Sequence, residues 1–283
     1  MKDEYELIDA GCGRKLERFG DYILARPCAQ AMWRTDLGSP AWARATASFD
    51  REDGNRWHGR GNLPKEWTME TAGIRFRLGG TDFGHLGIFP EQRAQWKWIR
   101  ETCSRRPGAS VLNLFAYSGG STMAAALGGA SVCHLDASKG MVEWARANAA
   151  LNGLKESPIR WIVDDAHKFM KREARRGRKY DAIVLDPPTF GRGASGEMYK
   201  IERDLAETLD LAAALLSDKP LFILFSSHTP GLSCAVAENI FSRLFPGAKL
   251  ETGEMMLEGP SISCPSGIFC RTIFQKRSQD NGG

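Results

Sequence analysis

The sequence predicts an α/β protein in which a mainly parallel sheet, covered by helices on both faces, follows a smaller β-rich region. Three observations carry this. From about residue 108, short continuous apolar runs alternate with helical stretches, the pattern of strands buried on both faces. The first 80 or so residues hold instead four of the eight tryptophans (Trp33, Trp42, Trp57 and Trp67) and short alternating segments broken by Gly, Pro and Asp. A chain of 283 residues is also close to the limit of a single hydrophobic core. Two units are expected: a small β-rich domain over 1–80 and an α/β domain over 81–283.

In the first unit, residues 22–25 and 74–78 read as strands, and Phe49 to Arg56 as a polar loop. Asp9-Ala10-Gly11-Cys12-Gly13 resembles a glycine-rich ligand loop, but Arg14 to Gly20 after it lacks the small residues of a helix start. A tight turn between two strands accounts for it better. Arg44, Arg51, Arg56 and Arg60 lie among Trp42, Trp57 and His58. That mixture suits stacking on nucleic acid, and equally the solvated rim of a tryptophan-cored module.

In the second unit a strand over 111–115 leads to a small-residue helix over 121–127, ended by Gly128-Gly129. Next come a strand at 131–136, a helix at 138–151 closed by Asn152-Gly153, and a strand at 159–163. A basic helix over 166–176, a strand at 181–186, a helix over 200–216 and a strand at 221–225 complete the alternation. Residues 268–274 are expected to add an antiparallel pair at the edge, and the tail after Lys276 to fray.

Composition excludes several classes. A formal charge of +4 permits an anionic partner without requiring one. No apolar run approaches the ~20 residues that span a bilayer, and the N-terminal MKDEYELIDAG is acidic where an export signal is basic and apolar. The seven cysteines are scattered, with no C-x-x-C pair, so neither a zinc site nor any other metal is expected. Reduced thiols and a cytoplasmic location are the corresponding expectations.

Ligands of an open α/β sheet bind beyond the carboxyl ends of its strands. Those ends carry Asn113-Leu114-Phe115-Ala116-Tyr117-Ser118-Gly119-Gly120, then His134-Leu135-Asp136-Ala137-Ser138, then Asp164-Asp165-Ala166, then Leu185-Asp186-Pro187-Pro188-Thr189-Phe190. Glycines let backbone approach a ligand, an acid after the second strand suits a ribose diol or a helix cap, and two prolines make a stiff turn without N–H donors. A nicotinamide-dependent oxidoreductase would show G-x-G-x-x-G where this chain has Phe115 and Tyr117.

Together these motifs resemble the class I S-adenosylmethionine-dependent methyltransferases. More narrowly, they resemble the bacterial large-subunit ribosomal RNA methyltransferases of the cytosine-C5 and guanine-N7 types and their uncharacterised relatives. The resemblance covers roughly residues 80–230. It implies a Rossmann-like seven-stranded sheet of order 3-2-1-4-5-7-6 with strand seven antiparallel, and S-adenosyl-L-methionine as cofactor. It implies that Asn113, Phe115, Ala116, Tyr117, Gly119 and Gly120 line the methionine moiety, and that Asp136 holds the ribose with Ala137 and Ser138 beside the adenine. Asp165 and Ala166 would meet the adenine edge, Phe89, Gln92 and Arg93 would lie over the cofactor, and Asp186 would border both ligands.

For the acceptor, the resemblance implies that Asp186 and the Pro187 carbonyl accept from a target nitrogen, that Pro188 stiffens the turn, and that Phe190 stacks on a base. Cytosine-C5 chemistry needs a cysteine nucleophile, but Thr189 and Ser226-Ser227-His228 occupy the expected places. His228 reads as a polar rim residue or a proton acceptor. Lys168, Lys171, Arg172, Arg175, Arg176 and Lys179 form a basic stripe, and Gly191 to Gly196 a loop able to fold over a target. The expected function is methylation of a base nitrogen in RNA, ribosomal RNA first, with no membrane partner. The alternatives are a protein side chain or small molecule as acceptor, or a non-catalytic RNA adaptor that binds the cofactor.

Overall fold

The structure, a computed structural model, describes residues 3–51, 54–193, 196 and 198–274. The tail after Lys276 lies outside these residues, as do 194, 195 and 197 of the glycine-rich loop region.

The N-terminal segments β1 (Tyr5–Gly11), β2 (Arg14–Phe19), β3 (Tyr22–Pro27), β4 (Ala47–Asp50) and β5 (Arg56–His58) make a five-stranded sheet in sequential order, with the short helix α1 (Ser39–Trp42) before β4. The acid of the Asp9 to Gly13 segment has a structural use. Cys12 and Gly13 take φ of 51° and 74° in the β1–β2 turn, while buried Asp9 accepts from Leu37 N at 3.1 Å and Trp42 Nε1 at 2.8 Å. It ties the 36–42 segment to β1. Glu17, fully buried on β2, takes the Tyr5 hydroxyl at 2.9 Å and the Arg26 guanidinium at 2.7 Å, with Lys15 at 3.3 Å. Those partners offset the large cost of burying its charge.

A hairpin follows, β6 (Trp67–Thr71) with β7 (Ile74–Leu78). Then come α2 (Arg93–Ser104), β8 (Ser110–Leu114), α3 (Gly120–Leu127), β9 (Ser131–Asp136), α4 (Lys139–Leu151), β10 (Ile159–Val163), α5 (Ala166–Arg175) and β11 (Ala182–Leu185). The chain ends with β12 (Phe190–Arg192), β13 (Met198–Lys200), α6 (Ile201–Ala214), β14 (Phe222–Ser227), α7 (Cys234–Leu244), β15 (Lys249–Glu258) and β16 (Ser263–Ile273).

The large sheet has the order β10-β9-β8-β11-β14-β16-β15, with β16 antiparallel to both neighbours and the first five strands parallel. This is the expected 3-2-1-4-5-7-6 arrangement. Every residue of β11 and β14 is buried, the reason β11 and the first four residues of β14 are apolar; only Ser226 and Ser227, at the cleft end of β14, are polar. At the edge, β10 is only partly covered and Val163 is exposed, although its sequence is as apolar as a central strand. The segment after Phe190 forms a short hairpin, with Phe190 opposite Lys200, where the sequence suggested a loop.

Side-chain amides complete the edge of β7 against α4. Asn148 accepts from Arg77 N at 2.8 Å, and Asn152 both accepts from Arg75 N and donates to Arg75 O. Unpaired edge groups are thereby satisfied without a further strand. Strand order reverses between β8 and β11, and their carboxyl ends open the crevice where such sheets bind ligands.

Candidate active site

The loop leaving β8 is held in an unusual backbone state. Phe115 and Tyr117 have φ of 54° and 49°, and Gly119 has 89°. Left-handed conformations cost non-glycine residues about 1–3 kcal/mol each, so surrounding bonds must hold them. Ala116 N donates to Leu135 O at 3.0 Å, Tyr117 N to Asp136 Oδ2 at 2.8 Å, and Ser118 Oγ to Gly87 O at 2.6 Å. A Cβ on Gly119 would lie 2.5 Å from Met123 Cε, and one on Gly120 2.5 Å from the Trp96 ring, so both positions need glycine.

Asp136 clips two loops together. Its second oxygen accepts from Ser138 N at 2.8 Å. Burial pushes this carboxyl upward, and the two backbone N–H bonds oppose that shift. A carboxylate has about four lone-pair sites. One bond to each oxygen leaves Asp136 with acceptor capacity toward the cleft it lines. It does not cap α4: that cap is Ser138, which accepts from Met141 N.

The cleft beyond these strand ends has a volume of about 330 Å³. Phe115, Tyr117, Asp136, Ala137, Ser138, Asp165 and Ala166 line it on the β8–β10 side, and Asp186, Pro187 and Pro188 on the β11 side. An adjoining recess of about 40 Å³ is walled by Gln92, Asn113, Ala116, Gly119 and Gly120, and Phe89 and Asp186 border both spaces. Asn113 is committed elsewhere: its Nδ2 donates to Thr122 Oγ1, which pairs with His134 Nδ1 in a buried chain beneath the loop. Burial holds that histidine neutral, down to about 3. Asp165 caps α5 through Lys168 N at 2.9 Å while still facing the cleft.

Opposite the nucleoside side stands a charged cluster. Gln92 Nε2 donates to Asp186 Oδ2 at 3.2 Å and to Ser226 Oγ at 2.9 Å, so it aims the carboxylate. Among the described residues Asp186 Oδ1 has no hydrogen-bond partner, and it lies 3.9 Å from His228 Nδ1. The other imidazole nitrogen pairs with Glu91 Oε1 at 3.0 Å, and Ser266 Oγ donates to the same oxygen at 2.9 Å. Burial alone would lower His228, but Glu91 and Asp186 outweigh it and raise the imidazole to about 9. Burial likewise disfavours the Glu91 carboxylate, yet His228 and Lys15 hold it at about 2. His228 is thus an imidazolium in the cleft wall, neither a bland rim residue nor a free base.

Two expected positions fall elsewhere. Arg93 lines neither space: its guanidinium lies 3.3 Å from Asp3 and 4.7 Å above the Tyr5 ring, binding the N-terminal region to α2. Its place in the cofactor site is corrected, because the helix turns it away from the neighbouring Gln92. Phe190 is 53% exposed on β12 and is not part of the cleft wall, although Thr189 and Gly191 on either side are. The strand alternates its side chains and leaves this ring on the outer face.

The basic stripe is largely spent within the fold. Lys171 pairs with Glu207, Arg172 with Asp164, Arg176 with Glu173, and Lys179 donates to Ala214 O. His85, His167, Tyr199 and Glu91 were not read from the sequence as part of the site. The first three line the cleft, and Tyr199 meets Phe115 with ring centroids 5.3 Å apart. Only the tertiary fold brings them there. Among the described residues, no group of His, Cys, Asp and Glu is arranged to hold a metal, and no helix is long and apolar enough to cross a membrane.

A doubly covered sheet with an acid-floored, aromatic-walled cleft at its reversal point is the arrangement of a protein that binds a nucleotide-like ligand at its strand ends. The sequence model of the S-adenosylmethionine-dependent methyltransferases matches residues 38–219, and the chain belongs to that family. It is 36% identical to the SAM-dependent methyltransferase from Agrobacterium tumefaciens, with a TM-score of 0.91 over 96% of this chain and 91% of that one. A putative SAM-dependent methyltransferase from Streptococcus mutans shares the fold at 18% identity, with a TM-score of 0.73 over 96% of this chain and 75% of that one. Among curated proteins, the ribosomal RNA large subunit methyltransferase K/L of Shewanella frigidimarina is 33% identical over 203 residues, 71% of this chain. The match spans only 27% of that relative's length.

The residues present fit S-adenosylmethionine. Asp136 keeps lone pairs for a diol, and Phe89, Phe115 and Tyr117 wall the space around it.

Proposed function

We propose that this enzyme methylates a nitrogen of a nucleic acid base, with ribosomal RNA as the substrate. The observation that carries the reading is Asp186: one oxygen is aimed by Gln92 and the other is an unused acceptor in the cleft wall. When bound, S-adenosylmethionine would supply an electrophilic methyl group, transferred as the bond from the target nitrogen to the methyl carbon forms in line with the breaking C–S bond and S-adenosylhomocysteine leaves.

The chain's own residues do the rest by position and charge. Asp136 fixes the ribose, and the β8 loop, strained at Phe115 and Tyr117, sets the depth of the cofactor. Asp186 faces the target nitrogen: it accepts an N–H where the nitrogen carries one and offsets the positive charge that arrives with the methyl group. Pro187 and Pro188 leave the turn without backbone donors, and Thr189 Oγ1, 2.8 Å from Thr229 Oγ1, pins it to the end of β14. No cysteine lines the cleft among the described residues, so a thiol-dependent attack at a ring carbon lacks its nucleophile.

The RNA assignment draws on the named K/L relative. We further assign substrate recognition to the N-terminal β-rich region, residues 1–80. The deciding experiment is transfer of tritiated methyl into ribosomal RNA, tRNA and protein fractions from cells lacking the enzyme. Label in ribosomal RNA is expected, and label confined to protein would end this reading.

A further inference from the structure

The Glu91–His228 pair has no part in folding the cofactor loop, yet it faces the acceptor side of the cleft. Glu91 is 4% exposed, its Oε1 takes both His228 and Ser266, and its Oε2 has no partner among the described residues. An acid held this deep with one oxygen unsatisfied is costly, and its ion pair with His228 is what offsets the cost. The pairing also dictates the chemistry of the opposite ring nitrogen. With Nε2–H donated to Glu91, Nδ1 of the imidazolium is a second N–H donor. Among the described residues it has no hydrogen-bond partner: Asp186 Oδ1, at 3.9 Å, is too far. An unused donor and an unused carboxylate acceptor therefore stand side by side in one wall. Phe89, 5.5 Å from the imidazole between ring centroids, steadies the ring from one side.

We propose that His228 is a specificity-determining residue that donates from Nδ1 to a carbonyl oxygen or pyridine-type ring nitrogen adjacent to the attacked nitrogen of the methyl acceptor. The proposal deepens the base-nitrogen reading and rests on it. Every nucleobase presents such an acceptor beside a nitrogen. An alkyl amine of a protein has none, and in its ammonium form it meets the His228 cation with like charge. The residue thus selects a base edge over a lysine or an N-terminus. Glu91 acts behind it as a positioning residue that holds the ring charged and oriented.

The charged groups facing the imidazole are Glu91 before α2, Asp186 after β11, Lys15 from β2 and His85 from the segment after β7. His228 loses its proton near pH 9. The neutral ring, still donating Nε2–H to Glu91, then turns a bare lone pair toward the acceptor, and recognition inverts. Transfer by the wild type should therefore decline as pH rises through about 9.

The test compares wild type, His228→Gln and the double variant His228→Phe/Glu91→Gln, in which no buried charge is stranded. S-adenosylhomocysteine affinity, read by calorimetry, reports that the cleft is intact. Tritiated-methyl transfer into ribosomal RNA from cells lacking the enzyme gives kcat and KM across pH 6–10. The expected result is a loss of about 10²-fold in kcat/KM for the double variant, with unchanged homocysteine-product affinity and no decline near pH 9. The glutamine variant, which keeps a donor, should recover part of that loss. Three results would each overturn the proposal: wild-type kcat/KM in the double variant, a wild-type profile flat through pH 9, or collapse of product binding in both variants. Absence of label in ribosomal RNA from the wild type itself would instead refute the base-nitrogen reading.

Discussion

The two sides of the cleft are built by different means. The side around Asp136 is local and backbone-made: Asp136 joins the loops after two adjacent strands through Tyr117 N and Ser138 N. The acceptor side is assembled from afar. Gln92 reaches Asp186 across 94 residues of sequence, and Glu91 reaches His228 across 137. In the proposed reading, a ligand common to a whole family would be held by groups the fold itself generates at strand ends. The variable ligand is met by side chains that can change without disturbing the sheet.

Substitutions on each side should separate these roles. The largest effect is expected on the acceptor side: Asp186→Ala should lower methyl transfer by about 10³-fold, since it removes the group facing the reacting nitrogen. S-adenosylhomocysteine affinity, measured by calorimetry, should stay within a few-fold. If transfer persists, Asp186 has no catalytic part. On the nucleoside side the reverse holds: Asp136→Ala should weaken cofactor binding by about 10²-fold or more, the worth of one or two charge-assisted hydrogen bonds. Calorimetric binding equal to wild type would remove Asp136 from the ribose site.

Next in size are two tests of what holds the halves in place. Gly119→Ala should cost about 1–3 kcal/mol in urea unfolding, because the new Cβ meets Met123 in a left-handed backbone; wild-type stability would show that the loop relaxes. The Glu91–His228 pair should contribute stability in a defined window. The Glu91 part is present above its unfolded value of 4.5 and is lost as pH falls toward about 2. The His228 part is complete below 6.5 and is lost as pH rises toward about 9. Thermal melting of the wild type and of His228→Phe/Glu91→Gln should thus differ most between pH 4.5 and 6.5. A difference independent of pH would assign the effect to packing alone. The smallest effect belongs to Arg93→Ala, with cofactor affinity unchanged and stability lowered by less than about 1 kcal/mol; weakened binding would return Arg93 to the site.

Much of this was legible because strand ends are local. The run from Asn113 to Gly120, Asp136, and the Asp186-Pro187-Pro188 turn each sit directly after an apolar strand, and parallel pairing brings such ends to one rim. Arg93 shows where that reasoning fails. A segment read as covering the cofactor supplies Gln92 to the cleft, while the next residue turns toward Tyr5. Adjacent positions at a helix start point in different directions, and spacing alone does not say which faces inward. The basic stripe shows the same limit: its carboxylate partners Glu207 and Asp164 lie on α6 and at the end of β10, which the spacing of the stripe does not reveal.

By itself the sequence determined the class of sheet, its strand order through the resemblance it carries, and the acids and prolines at the strand ends. Periodicity and turn chemistry are written in neighbouring residues, so they survive without coordinates. Only the tertiary structure decided that His228 is charged, that Gln92 aims Asp186, and that Arg93 and most of the basic stripe serve the fold. A side chain's charge and free bonds depend on what surrounds it, and here those surroundings come from residues remote in the chain.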